Sequence, residues 1–345
     1  MTNDFVEAAR NGNRRAIARL LTMVEDEREG IDQILAALFP HTGHAWVIGI
    51  TGAPGTGKSS LVNGMAKVYR ALGKTVGIIA VDPTSPFTGG AILGDRIRMR
   101  DLSADAGVFI RSMATRGSLG GLARATRDAI RVLDAAGFDI VMVETVGAGQ
   151  NEVDIVRTAQ TTIVVEAPGL GDDVQAIKAG ILEIADVLVV NKADHPGVES
   201  TVRALRMMLE TGHPAARTQM IAHHGQLMST ETSIPDSVQP LWIPPIIQTV
   251  ATEDRGIGEV IEVVAAHHAY LHGNGVAVQL ERQHIQIELY DRLRETLIAQ
   301  LLEVVPIDCL QDVVDRIQRR ELDPQGGVGV ILKAQENSKW QHLNN

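Results

Sequence analysis

Six short Val/Ile-rich runs constrain this chain more than any other feature: Trp46–Thr51, Thr75–Val81, Ile140–Glu144, Thr161–Ala167, Val187–Val190 and Pro245–Val250. Apolar residues at consecutive rather than alternate positions mark strands buried on both faces. Between most of them lie helix-like stretches such as Ser59–Leu72, Leu122–Ala136 and Val174–Ala185. This alternation predicts an α/β fold, a mostly parallel central sheet flanked by helices. Aromatic residues make up only 3% of the chain, so its core must be aliphatic. Polar residues recur just past the strand ends, at Asp82, Glu144 and Asn191. In an open α/β sheet that rim is where ligands bind.

The strand Trp46–Thr51 runs into Gly52, Ala53, Pro54, Gly55, Thr56, Gly57, Lys58, Ser59 and Ser60, where a helix begins. Spacing and context are those of a phosphate-binding loop, or P-loop. Its glycines let backbone N–H groups turn inward around a phosphate, and the helix start adds partial positive charge. Lys58 is placed to reach the β- and γ-phosphates of a nucleotide, and the Ser59 hydroxyl to ligate Mg²⁺.

A second strand, Val187–Val190, leads into Asn191, Lys192, Ala193 and Asp194. A carboxylate at Asp194 can accept hydrogen bonds from guanine N1–H and its exocyclic amine. Adenine presents a lone pair there instead, and a buried polar group left unpaired costs about 1–3 kcal/mol. Asn191 is expected to tie this loop to the phosphate loop, and the Lys192 stem to lie over the base. Val250 and Ala251, ending the last run, are placed for a backbone contact to the base oxygen. Three acidic residues, Asp82, Asp95 and Glu144, are candidates to hold or orient Mg²⁺, which takes only one or two carboxylates directly. Gly147 is placed to sense the γ-phosphate and Gln150 to orient an attacking water. Lys58, Glu144, Gln150 and Asp95 form the expected catalytic set.

Flanking segments differ in character. Residues 4–38 read as two or three amphipathic helices, and residues 276–320 as a long helix followed by another after Pro306. The expected division is an N-terminal helical arm (1–45), a P-loop domain (46–273) and a C-terminal helical dimerisation segment (274–345). A formal net charge of −10 argues against nucleic acid and anionic membranes as partners. No run approaches the ~20 apolar residues that span a bilayer. The lone Cys309 excludes an internal disulfide, and a cytoplasmic protein is expected. His267 and His268 read as a solvated helix end, since adjacent helical residues point apart.

Read together, these motifs resemble the methylmalonyl-CoA mutase-associated GTPases, the MeaB/ArgK family. The resemblance is carried by Gly12-Asn-Arg-Arg-Ala-Ile-Ala-Arg19, the P-loop, Val81-Asp-Pro-Thr-Ser-Pro86 and Gly89-Gly-Ala-Ile-Leu-Gly-Asp-Arg96. Gly120-Gly-Leu-Ala123, Glu144-Thr-Val-Gly-Ala-Gly-Gln150 and Asn191-Lys-Ala-Asp194 complete it. It implies a homodimeric GTPase that binds GTP or GDP with Mg²⁺ and assists an adenosylcobalamin-dependent acyl-CoA mutase in cofactor loading, protection or reactivation. Cobalamin would be met only through that mutase. Hydrolysis is expected to be slow alone, with Arg96, Arg98 and Arg116 as candidates to complete the site. Two alternatives share parts of this pattern. A metal-insertion GTPase of the hydrogenase or urease type would want a His/Cys cluster, and a transport-associated kinase or ATPase would not want Asp194.

Overall fold

A computed structural model describes residues 2–82, 101–102, 104–114, 121–145, 158–169, 184–211 and 241–343. Seven strands form one parallel sheet in the order β3-β2-β4-β1-β5-β6-β7. They are β1 (Trp46–Thr51), β2 (Val76–Asp82), β3 (Val108–Ala114), β4 (Ile140–Thr145), β5 (Thr161–Glu166), β6 (Val187–Val190) and β7 (Ile246–Gln248).

The side-chain alternation of a strand assigns each residue to one face of the sheet. Val47, Ile79, Val141 and Val143 face a core shared with α1 (Thr2–Arg10), α2 (Arg14–Glu25), α3 (Ile31–Leu38) and α5 (Gly121–Ala135). Trp46, Ile48, Ile50, Ile78 and Met142 face the other core, built with α4 (Lys58–Ala71) and α7 (Ile257–Gly273). A sixth helix, α6 (Val198–Thr211), buries Val202 and Leu205 against Val190.

The N-terminal helices pack onto the Val47 face of the sheet. Ile17, Leu20, Leu21 and Leu38 are fully buried, each contributing roughly 1.5–3 kcal/mol of hydrophobic stabilisation. Asn13 caps α2, its side chain accepting from the Arg15 and Ala16 N–H groups. From the first turn of α2, Arg14 donates to the Ala106 and Val108 carbonyls and lies over the Phe109 ring.

β3 escaped the reading of the sequence because Arg111 and Ser112 interrupt its apolar run. It is an edge strand, and Arg111 pairs with Glu25 of α2. His267 corrects a second expectation: it is buried, not solvated. Its Nδ1 lies 2.9 Å from Thr161 Oγ1 and its Nε2 3.2 Å from Asp186 Oδ1, because α7 packs this face onto β5 and β6.

Contacts divide the chain into residues 1–281 and 282–345. The boundary falls within α8 (Val276–Val304), which is followed by α9 (Ile307–Gln318) and α10 (Pro324–Leu343). The predicted helix Val174–Ala185, apart from Ile184 and Ala185, and residues 212–240 of the Ser-, Thr-, His- and Pro-rich stretch Gly212–Pro245, read from the sequence as an insertion or long loop, lie outside the described residues.

Candidate functional site

All seven strands point their C-terminal ends to one rim, and the conspicuous loops gather there. β1, buried at every position, ends at Thr51, and the chain turns through three glycines with positive φ: Gly52 (139°), Gly55 (83°) and Gly57 (93°). Two of these glycines are dictated by space as well as by backbone angle. A Cβ at Gly52 would sit 2.1 Å from the Val165 carbonyl oxygen of β5, and one at Gly57 2.3 Å from Asn191 Nδ2. Helix α4 begins at Lys58, so its first N–H groups, which have no partner carbonyl one turn earlier within the helix, stand at the loop.

Lys58 is buried, and its Nζ donates to the carbonyls of Gly52 (2.7 Å) and Ala53 (3.0 Å). The ammonium thus lies against the loop whose concavity is the candidate phosphate site. Thr56 is wholly buried and folds its hydroxyl back onto the Ala53 carbonyl. One residue into α4, Ser59 Oγ donates to Glu144 Oε1 at 2.6 Å, with both residues buried. The parallel register sets Glu144 of β4 beside Ile50 of β1, two residues before the loop starts. A hydroxyl and a carboxylate side by side make a hard, all-oxygen pair, the donor chemistry Mg²⁺ prefers. Behind them, Thr145 Oγ1 donates to Thr51 Oγ1.

The second loop is locked to the first through one side chain. Asn191, at the end of β6, donates from Nδ2 to the Thr56 carbonyl of the phosphate loop at 2.8 Å. Its Oδ1 accepts from Thr249 Oγ1 and from the Ala251 N–H, both at 3.0 Å. Asn191 N donates to the Glu166 carbonyl at the end of β5, and Ala193 N to the Thr249 carbonyl. Lys192 adopts a left-handed φ of 58°, which turns the loop outward and leaves the Asp194 carboxylate exposed. The Val250 and Ala251 N–H groups are spent on the Arg255 carbonyl and Asn191 Oδ1. A base-oxygen contact from either would require exchanging one of those bonds.

This geometry has counterparts among known proteins. Residues 17–305 match the family profile described as "Methylmalonyl Co-A mutase-associated GTPase MeaB". The chain belongs to the MeaB family. As a MeaB-family GTPase it binds guanine nucleotide and hydrolyses GTP. A Pyrococcus abyssi protein named as a GTPase is 44% identical over 333 residues, 96% of each chain. The Escherichia coli (strain K12) GTPase ArgK is 34% identical over 284 residues, 81% of this chain and 80% of its own. A crystal structure of a LAO/AO transport system kinase covers 96% of both chains with a TM-score of 0.66 at 24% identity, a likeness of fold.

Within this MeaB-family fold, the predicted residues Gly52–Ser60, Glu144, Asn191, Lys192, Asp194, Val250 and Ala251 come together on one rim. Asp82 ends β2 on that rim, in register with Ala114 of β3. The Asp82 side chain, Asp95, Gly147, Gln150, Arg96, Arg98 and Arg116 lie outside the described residues. Thr249 is the residue the sequence reading missed: buried, it serves Asn191 through its hydroxyl, and its N–H and carbonyl bond the Val190 carbonyl and the Ala193 N–H. The only local sign was a hydroxyl residue at the end of an apolar run. Among the described residues, no helix is long and apolar enough to cross a membrane.

Proposed function

We propose that this GTPase is a nucleotide-driven chaperone of an adenosylcobalamin-dependent acyl-CoA mutase, governing loading, protection or reactivation of the mutase's cofactor. The observation that carries this reading is the family match, which spans residues 17–305 and belongs to a family described by its mutase association. In this proposal the chain meets cobalamin only through the mutase, and works in the cytoplasm.

The nucleotide half of the proposal assigns roles to the rim. Gly52–Ser60 wrap the phosphates, and Lys58 exchanges the Gly52 and Ala53 carbonyls for the β- and γ-phosphate oxygens. Ser59 and Glu144 would hold Mg²⁺, directly or through water, with Asp82 and Asp95 completing the set. The ion, when bound, neutralises charge on the phosphates. Asp194 accepts from guanine N1–H and the exocyclic amine, the Lys192 stem covers the base, and Val250 and Ala251 border its oxygen. Asn191 holds the phosphate and base loops at a fixed separation, so that the whole nucleotide is read as one object. Gly147 senses the γ-phosphate and Gln150 orients the attacking water.

We assign residues 1–45 to a helical arm, 46–273 to the GTPase domain and 274–345 to a dimerisation segment. Ile285, Leu289, Leu293 and Leu297 support the last assignment: they recur every fourth residue along α8 and are all exposed. Four-residue spacing lines them along one side of the helix, a stripe suited to a second copy of the chain.

The test is the GTP hydrolysis rate alone and with a purified adenosylcobalamin-dependent acyl-CoA mutase from the same source. A rise with the mutase, absent with heat-denatured mutase, supports the proposal. A rate unmoved by several such mutases, with no co-elution in either nucleotide state, would reject the client and leave the GTPase chemistry standing.

A further inference from the structure

At the opposite end of the sheet from the phosphate loop, the last two turns of α7 carry His268 and His272. Residues four apart on a helix share a side, and here the two imidazole centroids are 4.4 Å apart. Both histidines are exposed, whereas His267 beside them is buried. The His267 bonds to Thr161 and Asp186 fix the rotation of α7 about its axis, and so fix the face on which the pair stands. Trp46, the first residue of β1, backs both rings, with centroids 3.9 Å from His268 and 5.9 Å from His272.

Two features of this pair favour a cation. Two helical imidazoles at i and i+4 recur as zinc ligands, because one ion can reach both rings from the side. The helix ends at Gly273, and the negative end of its dipole favours positive charge beside the last turn.

We propose that His268 and His272 form a two-imidazole chelate for a divalent transition-metal cation of borderline softness, copper, nickel or zinc. Water would fill the remaining positions, since no third His, Cys, Asp or Glu joins such a group among the described residues. The site is chemically distinct from the oxygen pair of Ser59 and Glu144, the donor set Mg²⁺ prefers, which excess Mg²⁺ keeps occupied during the titration below. It stands on the geometry of α7 and is independent of the mutase proposal.

Trp46 supplies the readout. Tag-free, chelator-treated full-length protein would be titrated with Cu²⁺, Ni²⁺ and Zn²⁺ in excess Mg²⁺, by calorimetry and by tryptophan fluorescence. One equivalent should bind, copper most tightly. Cu²⁺ and Ni²⁺ should quench Trp46 emission, and Zn²⁺ should compete without quenching. His268→Ala and His272→Ala should each weaken binding by about tenfold or more, at least the scale at which outer partners of a metal ligand count. Trp46→Phe should remove the larger part of the quench, leaving that of the more distant Trp242, and retain the binding. Near-UV circular dichroism of each variant checks that the fold is intact. Failure of the wild type to bind one equivalent overturns the proposal, as does binding unchanged by either histidine substitution.

Discussion

Replacing Asn191 with alanine should damage this protein more than any other single truncation on the nucleotide rim. Asn191 is 3% exposed and makes three side-chain hydrogen bonds, to the Thr56 carbonyl, Thr249 Oγ1 and the Ala251 N–H. At a net ~1 kcal/mol per bond, their loss costs about 3 kcal/mol. The groups left behind are themselves buried, with Thr56 at 0% and Ala251 at 6% exposure. Each stranded donor or acceptor adds desolvation cost, so the total should approach about 5 kcal/mol. Asn191→Asp is no rescue: it keeps an acceptor for Thr249 and Ala251 but sets an oxygen against the Thr56 carbonyl. The assay is equilibrium urea denaturation followed by tryptophan fluorescence, which reports on the body of the protein through Trp46 and Trp242. Nucleotide affinity, measured in parallel at low denaturant, should fall in both variants because the two loops lose their common strut. A destabilisation below about 1 kcal/mol for Asn191→Ala, with GTP affinity unchanged, would refute the reasoning.

Gly52→Ala should fail to form the loop: its Cβ would meet the Val165 backbone oxygen at 2.1 Å, and a positive φ alone costs a side chain about 1–3 kcal/mol. A Tm and GTP affinity equal to wild type would contradict this. Lys58→Ala should fold yet bind GTP about 10- to 100-fold more weakly, the worth of charged hydrogen bonds of about 1.5–3 kcal/mol, and calorimetry with GTP reads it. Leu289→Asp combined with Leu293→Asp should convert a dimer to a monomer by light scattering while leaving the basal GTPase rate intact; a variant that stays dimeric would remove α8 from the interface.

Much of this architecture was legible because it is local. β1 and β6 begin and end where their apolar runs do, since a strand buried on both faces leaves no polar residue to blur its ends. The phosphate loop was readable for a similar reason: three glycines, a lysine and a serine encode a backbone turn and its helix start within a few residues. β3 was not, because Arg111 has a partner in Glu25, 86 residues away, which lets a charged residue sit within a strand. β7 is shorter than its run, ending at Gln248, because Thr249 and Val250 leave the strand to serve the base loop. The burial of His267 depends on Thr161, 106 residues distant, and no helical periodicity contains that information. The same holds for Thr249 and for the resting contacts of Lys58, which are tertiary facts carried by residue types common in any loop.

In the proposed site the rim reads guanine through Asp194 while Asn191 and the phosphate loop hold the rest of the nucleotide. The most direct test of this reading is the affinity of wild type and Asp194→Asn for GTP, ATP and xanthosine triphosphate, by fluorescence titration. Asp194 is exposed and its carboxylate lies 3.8 Å from His195 Nε2, beyond hydrogen-bond reach, so the variant should fold normally. Wild type should prefer GTP, and Asp194→Asn should bind GTP more weakly and gain affinity for xanthosine triphosphate. A variant that keeps the wild-type preference for GTP over the xanthine nucleotide would contradict it.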